Sequence, residues 1–194
     1  LFMNQVEDDV AIYYADNENS ESIASASEGK IIPYFEKPGA IVENDKISIE
    51  DTEICNVSDI ALLGKHNWQN VCAAITAVWQ VTHDVNVISE VINKFKGMEH
   101  RLELVRELNE VRYYDDSFGT TPETAIVAIE AIKEPKIVIL GGSDKGADFD
   151  ELANTIKNSN VKQVLLIGIM ADRIRNSLDK VGFSNYQNGG TSMQ

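Results

Sequence analysis

Four polar clusters carry the residue types that could bind or position charge. In YYDDSFGTTPETA (113–125) the carboxylates Asp115 and Asp116 stand at the expected end of a strand, followed by the hydroxyls of Ser117, Thr120 and Thr121. In GGSDKGAD (141–148), Lys145 sits inside a glycine-rich turn, from which it can project toward an anion; the plainer reading is a structural turn before a helix. In GKHNWQN (64–70), His66, Asn67 and Asn70 gather at a helix start. An asparagine amide can donate to and accept from an adenine edge, and it can equally cap a helix. In EHRLE (99–103), Arg101 could meet a phosphate or stack on a base, or simply pair with Glu99 or Glu103.

The elements that must position these clusters can be read from periodicity. DVAIYYAD (9–16), KIIPYF (30–35), GAIVEN (39–44) and KISIED (46–51) read as short strands of one small antiparallel sheet, with an Asn-Asp-Lys turn between the last two and a short helix at 19–26. Residues 62–82 and 84–97 read as helices. Val71, Ala74, Ile75, Val78 and Trp79 line the first; Val87, Val91, Ile92 and Phe95 line the second, with Asp84 as cap and Gly97 as its close. From residue 100 the pattern becomes strand (101–108), strand (110–116), helix (122–132, capped by Thr121 with Pro122 in its first turn), strand (136–142), helix (148–159), strand (161–168) and helix (171–182); a further strand could start at 183–186. KIVILGG (136–142) is apolar and β-branched, which predicts burial on both faces.

The expected fold class is therefore α/β: a Rossmann-like parallel sheet preceded by a small antiparallel sheet and two helices, with domains at 1–98 and 99–194. Ligands of open α/β sheets sit at the carboxyl ends of strands. If the strands before Asp115 and Gly141 are neighbours, carboxylate and hydroxyls from one meet lysine and backbone amides from the other.

Composition narrows the function classes. With 31 acidic against 17 basic residues the net charge is −14, which disfavours long nucleic acids but leaves room for a nucleotide held locally. The two cysteines, Cys55 and Cys72, lack metal-type or redox-type neighbours, read as packing residues, and fit a reducing, cytoplasmic setting. No apolar run reaches the length of a membrane span, so no membrane partner is expected. The G-x-x-x-x-G-K-[ST], H-E-x-x-H and G-x-S-x-G patterns are absent, as is a Cys/His set at metal spacing. The sequence opens on Leu1 and closes on a polar, glycine-rich stretch, and both ends read as cut points.

EDDVAIYYAD, LLGKHNWQN, EHRLELV, YYDDSFGTTPETA and ILGGSDKGADFDEL, in this order over nearly the whole chain, resemble the ATP-dependent Mur ligases of peptidoglycan synthesis. Within that family GGSDKGADF points to the branch that adds D-glutamate to UDP-N-acetylmuramoyl-L-alanine. The resemblance implies the end of a central ATPase domain followed by most of a C-terminal domain. It implies that Asn67 and Asn70 lie near adenine, that Arg101 reaches ATP from the domain junction, and that Asp116 binds the ribose. Thr120 and Lys145 would bind the incoming D-glutamate. The phosphate loop and the ligands for Mg2+ would lie upstream, so no catalytic or metal residue is assigned here, and the chain alone is expected to be inactive. Gly97 and its neighbours are the expected hinge.

Phe118 departs from the family, many members of which carry lysine there. Two other readings stand beside this one. One is a related ligase with another acceptor, such as a folylpolyglutamate synthase; the other is a non-catalytic nucleotide-binding module sharing the fold.

Overall fold

The computed structural model describes residues 2–143 and 146–190, and the chain divides into two compact units, Leu1–Lys96 and Gly97–Gln194.

In the first unit, β1 (Val10–Tyr14) and β2 (Lys30–Tyr34) run parallel, with Val10 opposite Lys30 and Tyr14 opposite Tyr34. This corrects the expectation of a single antiparallel sheet. A parallel pair needs a crossover, and α1 (Glu18–Ala24) supplies it, capped by the Asn17 side chain, which accepts from the Ser20 N–H. Only β3 (Ile41–Glu43), β4 (Lys46–Ile49) and β5 (Thr52–Asn56) form an antiparallel sheet. Two-residue turns join them, and all four turn residues have positive φ: Asn44 51°, Asp45 60°, Glu50 49° and Asp51 64°. Paired left-handed residues match the twist of a tight hairpin. Glu50 and Asp51, read as the end of a strand, are thus a turn, and the strand after them escaped the sequence reading.

Helix α2 (His66–Val78) packs against both sheets and α3 (Val85–Lys94) against β5. Ile47, Ile49, Cys55, Cys72, Ile75 and Trp79 form the core between them. Burial pushes the thiols of Cys55 and Cys72 up to about 11 and about 12. Asp84 caps α3 as expected, accepting from the N–H groups of Asn86 and Val87. The buried stripe of α3 differs from the expected one: Val85, Ile88 and Ile92 face the core, whereas Val87, Val91 and Phe95 are exposed. The helix ends at Lys94, with Phe95 at its C-cap, so Gly97 (φ 101°) does not close it.

The second unit opens with a hairpin of β6 (Glu103–Leu108) and β7 (Val111–Asp115), turned by Asn109 and Glu110 at φ 51° and 64°. Its register shifts between Leu104 and Arg106, so that Glu103 lies opposite Asp115. Then follow α4 (Pro122–Ala131), β8 (Lys136–Gly141), α5 (Asp150–Asn158), β9 (Val161–Ile167), α6 (Ala171–Lys180) and β10 (Tyr186–Asn188). The three strands from β8 onward form a parallel sheet in the order β10-β9-β8.

Successive right-handed crossovers in one direction put their helices on one face. Ile129, Leu152, Ile156, Ile174 and Leu178 accordingly pack over Val138, Leu140, Val164 and Leu166. The opposite face of β8 is bare: Ile137 and Ile139 are 61% and 54% exposed. β8 is thus covered on one face, not two, which corrects the reading of KIVILGG. Among the described residues β7 pairs with β6 and not with β8, so the two strands are not the hydrogen-bonded neighbours that would bring both carboxyl-end clusters together.

Candidate functional site

The site residues expected from sequence fall in both units. In the first, the chain turns at Gly64 (φ 91°) into α2. Asn67 is not the cap. Lys65 occupies that position without a side-chain cap bond, and Asn67 lies inside the first turn. Its amide nitrogen donates to the Leu63 carbonyl at 2.7 Å, and its oxygen accepts from Asn70 Nδ2 at 3.1 Å. The pair is therefore preset: Asn67 orients Asn70, which is exposed. One residue earlier on the helix, Gln69 donates to the Tyr14 hydroxyl at 2.9 Å, and Tyr14 stacks on Tyr34 with ring centroids 5.4 Å apart. Lys65 lies 5.5 Å from the centre of the Trp68 ring. An exposed, oriented amide at Asn70 suits a planar, hydrogen-bonding ligand.

In the second unit the chemistry gathers where two loops meet: 98–102 before β6, and 116–120 after β7. Leu102 donates its backbone N–H to Asp116 Oδ1 at 3.0 Å. The Phe118 N–H donates to the His100 carbonyl at 3.0 Å, and the Gly119 N–H to the Asp116 carbonyl at 2.9 Å. His100 Nδ1 and Asp115 Oδ2 are 2.8 Å apart. The His100 N–H donates to Glu103 Oε2 at 2.8 Å, and the Ser117 N–H to Asp115 Oδ1 at 2.9 Å. The hydrogen bond from His100, then that from the Ser117 amide, hold the Asp115 carboxyl down to about 2. The same contact, together with the charge of Asp115, raises His100 above its ordinary value.

Arg101 is exposed and sits between His100 and Leu102, both of positive φ (62° and 45°). The structure thus brings Arg101 and Asp116 onto adjoining loops, joined through the Leu102 amide. Thr120 is exposed at the end of the second loop. Thr121 opens α4 as the sequence suggested: its hydroxyl accepts from the Thr124 N–H, while Thr124 Oγ1 accepts from the Thr121 N–H. Lys145 lies outside the described residues. On either side of it, Gly142 and Gly146 have φ of 138° and 74°. Arg173 of α6 reaches back to the Ala147 carbonyl at 2.6 Å and lies over the Phe149 ring.

Sequence reasoning missed His100 and Asp115 as partners. A usable signal existed: a hairpin turning at Asn109–Glu110 lays residues 100–103 beside 115–118. Among the described residues, His100, Glu103 and Asp115 are the group of potential ligand atoms close enough to share a cation, all within 4.8 Å of one another. They are already engaged in the hydrogen bonds above, and the set reads as a brace.

Phe118, where the family resemblance suggested lysine, is 58% exposed. No helix of the described residues is long and apolar enough to cross a membrane.

Comparison with known proteins matches residues 100–189 to the family described as Mur ligase, glutamate ligase domain. The UDP-N-acetylmuramoylalanine--D-glutamate ligase of Clostridioides difficile is 40% identical over 193 residues, covering 95% of this chain and 42% of that protein. The protein of the same name from Natranaerobius thermophilus is 37% identical over 194 residues, again 42% of its length. The chain therefore spans about two fifths of these relatives. Among solved structures, MurF from Acinetobacter baumannii superposes with a TM-score of 0.75 at 14% identity, covering 96% of this chain and 43% of that one. A Mycobacterium tuberculosis folylpolyglutamate synthase complexed with ADP gives 0.66 at 11% identity, covering 94% and 45%. At such identities these structures speak to fold alone. Over the portion it spans, the chain belongs to the Mur ligase family, with residues 100–189 forming its glutamate ligase domain.

Proposed function

We propose that this chain is part of a cytoplasmic ligase that uses ATP to join D-glutamate to UDP-N-acetylmuramoyl-L-alanine in peptidoglycan synthesis. The observation that supports this best is the pairing of loops 98–102 and 116–120, which sets an exposed arginine beside a carboxylate oriented by a backbone amide. In this reading Asp116 accepts from the ribose hydroxyls and Arg101 meets the phosphates. The Asn67–Asn70 pair lies near the adenine, Thr120 donates to the amino-acid substrate, and Lys145 pairs with one of its carboxylates.

The reaction transfers the terminal phosphoryl group of ATP to the carboxylate of the muramoyl peptide. The amine of D-glutamate then attacks the acyl carbon, and phosphate leaves from the tetrahedral intermediate. What a protein supplies to such a sequence is alignment of two reactants and compensation of charge. This chain contributes nucleotide and amino-acid contacts. The ligand atoms of His100, Glu103 and Asp115 are engaged with the imidazole and with the backbone amides of His100 and Ser117, and in this reading the Mg2+ ligands of the reaction belong to other parts of the protein.

The test is phosphate release by the full-length protein that carries this chain, supplied with UDP-N-acetylmuramoyl-L-alanine and ATP. Release that requires D-glutamate, and that Asp116→Ala weakens through a raised KM for ATP, supports the reading. Release driven equally by other amino acids would point to a ligase of different acceptor. Nucleotide binding with no release under any of these conditions would point to a binding module.

A further inference from the structure

The turn that carries Arg101 is held in a conformation its own residues do not favour. His100 and Leu102 both lie in the left-handed region, at φ 62° and 45°, and neither is glycine. Such residues are sterically disfavoured and persist where surrounding contacts fix them. Here one contact is local and the others come from across the hairpin. Glu103 accepts from the His100 N–H, Asp116 accepts from the Leu102 N–H, and Phe118 donates to the His100 carbonyl. The fourth contact, His100 Nδ1 to Asp115 Oδ2, is the one that changes character within the neutral pH range.

We infer that the His100–Asp115 pair is a positioning device that keeps the Arg101 turn on the Asp116 loop, so that the placement of both residues follows the protonation of His100. The imidazolium donates to a carboxylate that stays ionised. When the imidazolium loses its proton, the bond keeps only the charge of its acceptor and weakens, or is lost if the neutral ring keeps its hydrogen on Nε2. The charged groups bearing on His100 are Asp115 from β7, Glu103 from β6 and Glu99 from the preceding loop. All three are acidic and all favour the protonated ring. The surface is open, with the His100 side chain 59% exposed, so the device is a modest one that loosens the turn without unfolding the domain. Its consequence for nucleotide binding rests on the reading of Arg101 and Asp116 given above.

Nuclear magnetic resonance of the 194-residue chain separates the two. The imidazole of His100 is titrated while the amides of Leu102 and Phe118 are followed. The expected result is a His100 midpoint above the ordinary histidine value, with both amides shifting at that same midpoint and the amide of Leu166 unmoved. In Asp115→Asn the midpoint falls and the two amides lose their response. Amides of Leu102 and Phe118 that stay still while His100 titrates in the unaltered chain would overturn the inference, with no variant required. Adenosine triphosphate affinity of the full-length protein that carries this chain, measured below and above the midpoint, is expected to fall by about threefold in the unaltered protein relative to Asp115→Asn, in which the ligand's own titration is common. Equal ratios in the two chains would overturn the positioning role. Absence of nucleotide binding at either pH would count against the proposed ATP contacts and leave the amide result to decide the device.

Discussion

Thr76 and Ala40 are joined by a fully buried hydrogen bond: the Ala40 N–H donates to Thr76 Oγ1 at 2.9 Å, and that hydroxyl donates onward to the Cys72 carbonyl at 2.8 Å. One side chain thus ties the segment entering β3 to the last turn of α2. Thr76→Val removes the acceptor and strands the Ala40 N–H in the core. A loss of about 1–3 kcal/mol is expected, read as a lower urea midpoint, whereas Thr76→Ser keeps the bond and loses less.

Asp116→Ala deletes the acceptor of the Leu102 N–H together with the proposed ribose contact. A charge-assisted hydrogen bond is worth about 1.5–3 kcal/mol, so nucleotide affinity of the full-length protein should drop by roughly 10- to 100-fold. Calorimetric titration checks this, and an unchanged dissociation constant would remove Asp116 from the site.

The pH dependence of the brace has a defined sign. Asp115, lowered to about 2, contributes stability that is present above the ordinary carboxylate range and lost as pH falls toward 2. His100, raised by the same contact, contributes stability that is full below its ordinary value of about 6.5 and lost as pH rises through its folded value. The stability difference between the unaltered chain and Asp115→Asn should therefore peak between about pH 4 and pH 6.5 and shrink on both sides. A flat difference across chemical denaturation series at several pH values would contradict this.

Glu110 occupies the second position of a two-residue turn at φ 64°, where glycine carries no steric cost. Glu110→Gly should stabilise the second unit by about 1 kcal/mol, because relief of the left-handed penalty outweighs the added freedom of the unfolded chain. The melting temperature should rise by a few degrees.

Cys55 and Cys72 should resist alkylation in the native chain at neutral pH, since both are buried and their thiols are pushed up to about 11 and about 12. Mass spectrometry after iodoacetamide treatment should find them modified only on addition of denaturant.

The alternation of elements after residue 100 was legible because each helix and strand there carries its own period and its own stop signal, such as Thr121–Pro122 before α4 and Gly182 after α6. Pairing partners were not. Whether β1 and β2 run parallel depends on a crossover helix of only seven residues, and nothing in KIIPYF itself states a direction. The exposure of Ile137 and Ile139 was hidden for a similar reason, since an apolar run shows what a strand prefers and not which face its neighbours cover. In the candidate site, Asp116 stood out by its place after a strand, whereas His100 did not, because its partner lies 15 residues away across the hairpin.

The β6–β7 hairpin also sets an order in time. Its strands are joined by a two-residue turn, and such hairpins close in about 1–10 μs, whereas parallel pairing of β8 with β9 must wait for a crossover to be ordered. Leu102 and Asp116 flank that hairpin, so their contact is expected to form as it zips shut, ahead of the sheet. Pulsed hydrogen exchange during refolding would then find the Leu102 amide protected before that of Leu166. The reverse order would mean that the parallel sheet, and not the hairpin, is what nucleates the domain.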